Sequence, residues 1–323
     1  MSAATLMEAH DLSVHFSQHR TVARAVDGVS LEWRRGEILG VVGESGCGKS
    51  TLARALLGLV PPTAGDVSTN GAPVRGRDAL RKLRRSVQMI FQDPYQTLNP
   101  RQRVATIVAE PLRVQSVGGD DREARVQRAL EDVGLDHERF LSCYPHQLSG
   151  GQRQRVAIAA ALVLEPDGLI CDEPVSMLDV SVRAQILQVL IDLRRRRELA
   201  MLFITHDLSL AWSLCDRIAV MYLGRIVEQG SAVDVIEHPQ HPYTQALVAA
   251  VPVASANARI REPLSGELPD ATDVPSGCRF HPRCPRRFGP CDSVDPGLLV
   301  TSGDAQLAAC LLHDPAHAPD AVA

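Results

Sequence analysis

The chain lacks any apolar run long enough to cross a bilayer. Its longest uninterrupted apolar stretch, Ala157 to Leu164, falls far short of the roughly 20 residues a spanning helix needs, so the chain reads as one that does not enter the membrane core. Strong charge of either sign is lacking too: 34 Lys and Arg against 38 Asp and Glu leave a net charge of -4, with a pI near 6.3. That balance gives no overall drive toward nucleic acid, and none is expected as a partner. The local basic runs from Arg81 to Arg85 and from Arg194 to Arg197 read as solvated helix faces. Residues 1–7 lack the basic segment and apolar core of a secretory signal. The eight cysteines are therefore expected to meet a reducing cytosol, where disulfides are the weaker reading. There is no internal repeat, and the phosphate-loop pattern occurs once, so the chain is half of something if two such sites are needed.

What is there is organised around that loop. With 323 residues the chain can bury a full α/β core and still carry a smaller second module. Leu12, Val14 and Phe16 alternate with polar residues as in a half-buried strand. Glu37 to Val42 is an apolar strand that runs into Gly43-Glu44-Ser45-Gly46-Cys47-Gly48-Lys49-Ser50, and Lys49 to Leu57 reads as a helix stopped by Gly58 and Pro61-Pro62. Val87 to Phe91 is a further strand ending at Gln92. A turn-rich stretch and a helix over Asp121 to Val133 then suggest a helical insertion. Gly168 to Cys171, Met201 to Thr205 and Arg217 to Met221 read as buried strands, with a helix over Ser181 to Arg197. Such alternation implies a mainly parallel sheet covered on both faces. Composition shifts near His238, after which the chain is proline-rich and poorly periodic.

A Gly-x4-Gly-Lys-Ser/Thr match alone arises by chance in roughly one chain of this length in a hundred, but here a strand precedes it and a helix follows. In such a loop the backbone N–H groups face the phosphates, Lys49 reaches the β and γ phosphates, and the Ser50 hydroxyl ligates Mg²⁺. Asp172 ends an apolar strand, where a carboxylate can hold Mg²⁺ through water. Glu173, one residue on, is placed to act as general base for an attacking water. Gly168 is a weak choice for a buried strand, so loose packing is expected at its start. His206 follows a second apolar strand and is a candidate for the γ phosphate. Ser149 is a good N-cap for a helix over Gln152 to Leu164, preceded by Gly150-Gly151. Its exposed positive end suits an anion. Because the phosphate loop already cradles this chain's own nucleotide, that second helix end is best used on another chain's.

These residues together resemble the ATP-binding subunits of ABC transporters over nearly the whole chain, and most of all those of oligopeptide and dipeptide importers. Gly43 to Ser50 is similar to the Walker A motif, Gln92 to the Q-loop, and Leu148-Ser149-Gly150-Gly151-Gln152 to the signature. Gly168 to Asp172 is similar to Walker B, Ser176-Met177-Leu178-Asp179 to the D-loop, and His206 to the switch histidine. Phe16 stands where the family carries the aromatic that stacks on adenine, and Met177 where alanine is usual. Narrower matches are Gln88 to Pro94, Leu98-Asn99-Pro100-Arg101, His241-Pro242-Tyr243-Thr244 and Gly277 to Cys284. Gly266 to Pro269, taken with Asn99 to Arg101, leans toward the F-type member of the paired ATPases.

The resemblance implies a P-loop NTPase fold of ABC type, α/β, with a mainly parallel sheet, an antiparallel β portion, a helical subdomain and a cysteine-containing extension. It divides the chain into a nucleotide-binding domain over 1–240, with the subdomain at about 93–165, and an extension over 241–323. The expected cofactors are ATP and Mg²⁺, with Ser50, Gln92 and Asp172 toward the metal and Gln92, Glu173 and His206 as the catalytic set. Thr51 and Asp179 join the nucleotide contacts. The implied assembly is a head-to-tail dimer, with a second copy or a related D-type chain, in which ATP lies between one chain's Walker A and the other's signature. Two membrane permease subunits would hold the pair at the cytoplasmic face as a peripheral component, and an extracytoplasmic solute-binding protein would deliver peptides or related small solutes. Four tail thiols, Cys278, Cys284, Cys291 and Cys310, read as ligands of a [4Fe-4S] cluster or of Zn²⁺, or as free buried cysteines. Two other functions compete: a soluble ABC ATPase working on nucleic acid or ribosomes, which predicts tandem units or a basic surface, and a regulatory subunit that binds ATP without hydrolysing it. Glu173 and His206 both stand, against the second of these.

Overall fold

The computed structural model describes residues 4–18, 21–118, 121–251, 266–301 and 306–319. Its strands are β1 (Thr5–Gln18), β2 (Thr21–Arg34), β3 (Ile38–Val42), β4 (Ala64–Thr69), β5 (Ala72–Pro73) and β6 (Val87–Ile90). They continue with β7 (Gly168–Asp172), β8 (Ala200–Thr205), β9 (Arg217–Tyr222), β10 (Arg225–Ser231), β11 (Leu299–Val300) and β12 (Leu307–Ala308). The helices are α1 (Lys49–Leu56), α2 (Gly76–Ser86), α3 (Pro94–Thr97), α4 (Val104–Val114), α5 (Asp121–Asp132) and α6 (His137–Phe140). After them come α7 (Gly150–Leu162), α8 (Val180–Arg197), α9 (Leu208–Leu214), α10 (Ala232–Glu237) and α11 (Pro242–Ala250). Among the described residues no helix is long and apolar enough to cross a membrane.

The chain divides into two compact units, one of Met1–Met7, Trp33–Glu37 and Ser68–Phe203, the other of Glu8–Glu32, Ile38–Val67 and Ile204–Ala323. In the first unit β6 and β7 pair in parallel, Val87 opposite Gly168 and Ile90 opposite Cys171. Every residue of β7 is buried, as a strand covered on both faces requires. The helical insertion is richer than its sequence pattern: α4 as well as α5 packs on α7. Val104, Ile107, Val108 and Leu112 line the buried side of α4, with Pro111 inside the helix. In α8 the helical spacing of Ile186, Val189, Leu190 and Leu193 predicts a core stripe; Ile186, Leu190 and Leu193 are buried and Val189 is half-buried.

Gly168 corrects the expectation of loose packing. A Cβ at this position would lie 2.7 Å from the Trp33 ring and 2.8 Å from Leu6 Cδ2, and both of those side chains are buried. The strand begins with glycine because an aromatic ring already fills the place of a side chain.

In the second unit β11, β12, β10, β9 and β3 lie side by side in that order. β3 and β9 are parallel, Gly40 opposite Ile218. The rest are antiparallel, Glu228 of β10 pairing with Ala308 of β12. β2, β1, β4 and β5 form a separate sheet in that order, with β4 and β5 antiparallel. Leu12 and Val14 are buried on β1 while Phe16, near its end, is exposed. The region after His238 is more ordered than its composition suggests: α11 is started by the His241 side chain, whose Nδ1 accepts the Tyr243 N–H at 3.0 Å.

Candidate nucleotide site

The phosphate loop lies in the second unit, between β3 and α1. Lys49 is buried and its Nζ donates to the carbonyls of Gly43 at 2.7 Å and Glu44 at 2.8 Å. Gly48 precedes the helix at φ 111°, and a Cβ there would fall 2.0 Å from the Ala25 carbonyl oxygen, so only glycine fits the close approach. Cys47 is buried, and burial raises its thiol above the ordinary range, with Lys49 opposing. It packs as a small apolar residue. Ser50 and Thr51 lie in the first turn of α1 and are half-buried. Phe16 and His206 belong to this unit too, both exposed, His206 directly after β8.

The hydrolytic candidates lie in the first unit. Asp172 is buried at the C-terminal end of β7. Glu173 follows in the left-handed region, at φ 46°, a conformation that costs a non-glycine residue about 1 kcal/mol or more and that clusters at functional turns. Its carbonyl accepts from the Ser176 amide at 3.2 Å and the Ser176 hydroxyl at 3.1 Å, so the D-loop serine braces the turn. Its carboxylate is reached by Gln92, whose Nε2 donates to Glu173 Oε2 at 3.0 Å. Two residues singled out separately in the sequence are thus joined. Met177 is exposed, so its departure from alanine crowds nothing. Asp179 caps α8 by backbone conformation, with no side-chain cap bond.

The signature is also in the first unit. Ser149 Oγ accepts the Gln152 N–H at 3.3 Å, and Gln152 Oε1 accepts the Ser149 N–H at 2.9 Å. This reciprocal capping box starts α7 where the sequence places it. The first-turn amides of Gly150 and Gly151 have no intrahelical acceptor, as at any helix start. Leu148 is buried beneath them, and its carbonyl accepts from Arg153 Nε at 3.2 Å. The Arg153 guanidinium lies 4.3 Å from the Tyr95 ring centroid.

The four tail cysteines all lie in the second unit. Cys278 N–H donates to the Cys291 carbonyl at 2.9 Å. Even so, among the described residues no group of three or more His, Cys, Asp or Glu is arranged to hold a metal ion. Burial pushes the Cys278 thiol up to about 12 and raises Cys284 and Cys310 as well. The expectation of a [4Fe-4S] or zinc site gains no support from this arrangement, and none of the four cysteines is in a disulfide.

Two residues missed by the sequence reading touch the phosphate loop. Arg283 donates through both terminal nitrogens to Glu44, at 2.7 Å and 3.0 Å, and the Tyr243 hydroxyl accepts the Glu44 N–H at 3.0 Å. Both stand within stretches that match peptide importers, but no spacing rule couples them to a residue about 200 positions earlier.

Comparison with known proteins adds the following. A model of the ABC transporter family matches residues 26–176, and one of the oligopeptide/dipeptide transporter C-terminal region matches 227–291. The dipeptide transport ATP-binding protein DppF of Escherichia coli is 46% identical over 320 residues, covering 96% of this chain and 95% of that protein. The di/tripeptide transport ATP-binding protein DppF of Pseudomonas aeruginosa is 44% identical, covering 95% of this chain and 97% of its own length. Among solved structures, cbiO1 of Clostridium perfringens, part of an ABC transporter complex, superposes with a TM-score of 0.65 at 30% identity, over 73% of this chain and 92% of its own. A dimeric ATP-binding cassette in a post-hydrolysis state with ADP and phosphate gives 0.63 at 29% identity, over 70% and 99%.

Proposed function

This chain belongs to the ATP-binding subunits of ABC-type peptide and dipeptide transporters, and from that premise we propose how its own residues divide the work. It is an ATPase whose turnover energises peptide import. Lys49 and amides of the loop Gly43 to Ser50 other than that of Glu44, which is given to Tyr243, hold the phosphates, Thr51 extends the loop's grip, and Phe16 stacks on adenine. Ser50, Asp172 and Gln92 supply oxygen donors suited to a hard cation such as Mg²⁺, which when bound neutralises phosphate charge. Glu173 takes the proton of the attacking water, Gln92 orients that carboxylate, and His206 faces the γ phosphate. Ser149, Gly150, Gly151 and Gln152 present a helix end to the nucleotide of a second ATPase chain, either another copy or a D-type relative, with Asp179 at the same junction.

The observation that carries this reading is the Gln92 to Glu173 hydrogen bond of 3.0 Å, beside the buried Asp172. A base placed so contributes about 10² to 10⁴ in rate. Glu173→Gln is therefore expected to lower ATP turnover by that factor while ATP still binds, as followed by phosphate release and nucleotide titration. Full turnover in the variant would overturn the assignment.

The two family matches, 26–176 and 227–291, support a division into a nucleotide-binding domain over 1–240, with a helical subdomain at about 93–165, and an extension over 241–323. A peripheral place at the cytoplasmic face under two permease subunits is supported by the kinship with peptide-transporter ATP-binding proteins, and a cavity of about 390 Å³ in the first unit, lined by Met89, Ile90, Leu98, Ile107 and Pro111, offers a permease a seat. Phe91 and Val114, which also line it, are exposed apolar side chains. The solute reaches the permeases on a binding protein, and its identity is read by asking which loaded binding protein stimulates hydrolysis.

A further inference from the structure

We infer that Arg283 and Tyr243 are positioning residues for the ATP reaction: from the C-terminal region they hold Glu44, and through it the phosphate loop, in its nucleotide-gripping shape. This rests on the reading of Gly43 to Ser50 as the ATP phosphate loop.

Glu44 is held at three atoms groups. Its carboxylate receives a two-pronged Arg283 guanidinium at 2.7 Å and 3.0 Å, the planar geometry that fixes direction as well as distance. Its amide donates to the Tyr243 hydroxyl at 3.0 Å. The carbonyl of that same peptide, Gly43's, accepts from Lys49 Nζ at 2.7 Å, and the Glu44 carbonyl accepts at 2.8 Å, so the peptide that the tail fixes is one that orients the phosphate-binding lysine. The clamp is itself rigid. The Arg283 side chain is 5% exposed against 28% for Glu44, and Tyr243 is fully buried. Tyr243, Tyr222 and Phe280 pack with ring centroids 4.7 to 5.4 Å apart, and the Arg283 guanidinium sits 5.9 Å over the Tyr222 ring. A partly buried, bidentate pair resists solvent and salt far better than a surface pair.

The test uses the full chain, with MgATP affinity measured by calorimetry and KM and kcat by phosphate release. Arg283→Gln and Glu44→Gln are each expected to raise KM and Kd for MgATP roughly tenfold with kcat at saturation held within about twofold, the pattern of lost grip without lost chemistry. Because both break one contact, the double variant should lose no more than either single one. Arg283→Lys should recover part of the loss, since a point charge replaces the fork. Tyr243→Phe removes only the hydroxyl from an intact ring and should raise KM with little change in melting temperature, which keeps the test open if an Arg283 variant folds poorly. Unchanged KM in these variants, losses that add, or KM rises that merely follow melting temperature would overturn the clamp. Lys49→Ala separates the two levels: if it still binds MgATP normally, the phosphate-loop reading fails, and if it alone loses binding, only the clamp fails.

Discussion

Gly168 shows how much a single position can carry. The Trp33 ring, 2.7 Å from the place of a Cβ, leaves no room even for a methyl group. Gly168→Ala must then push Trp33 or Leu6 off their packed positions at the strand that ends in Asp172. Overpacking of this kind costs about 1 to 3 kcal/mol, so the variant should unfold at lower urea, and an unchanged midpoint would contradict the packing. The sequence marks this glycine as odd for a buried strand but cannot say why, because its neighbours Trp33 and Leu6 are remote in the chain. The same holds for Glu44, legible as a loop residue although its partner Arg283 is not. By contrast Lys49, Ser50, Asp172 and Glu173 are legible because phosphate chemistry demands those side chains at short, fixed spacings.

At the level of elements, legibility follows how local the forming interactions are. α7 is readable from Ser149 and Gln152 because its capping box is built by residues three apart. α4 is hidden by Pro111, whose ring is accommodated late in the helix, and α11 is short and starts on an unusual cap, His241. β10 and β12 are recognised only within their sheet, β10 by pairing with β9 and β12, and β12 by pairing with β10 and β11. α7 offers a separation of structure from function. Ser149→Ala deletes the acceptor for the Gln152 amide and should lower stability by about 1 kcal/mol. Ser149→Asn keeps a capping oxygen and should restore the urea midpoint, while ATP turnover stays depressed if the hydroxyl itself meets a neighbouring chain's nucleotide. Normal turnover in Ser149→Asn would confine the serine to capping.

For the molecule as a whole, acid sensitivity is set partly by histidines and carboxylates buried where the C-terminal region joins its unit. Glu228 is fully buried and accepts the amides of Gln240 and His241, each at 2.8 Å, and the Gln306 side chain at 2.8 Å. Burial raises its carboxyl, with those bonds opposing, so Glu228 contributes stability below its unfolded value that is lost as pH rises through the folded one. His241 acts in the opposite sense. Burial and then the charge of His313 push it down from 6.5 to about 3, while its Nδ1 caps α11 as an acceptor. Below pH 6.5 the unfolded chain takes up a proton that the folded chain refuses. Stability from this group is therefore complete above pH 6.5 and declines until about pH 3. Between pH 7.5 and 5.5 the loss from one such histidine is about 1.4 kcal/mol. His241→Asn keeps a capping oxygen and cannot titrate, so its unfolding midpoint should fall less over that interval than that of the parent chain, Glu228 contributing alike to both. Parallel declines in the two proteins would show that His241 is protonated in the folded state and is not sealed from water as its burial implies.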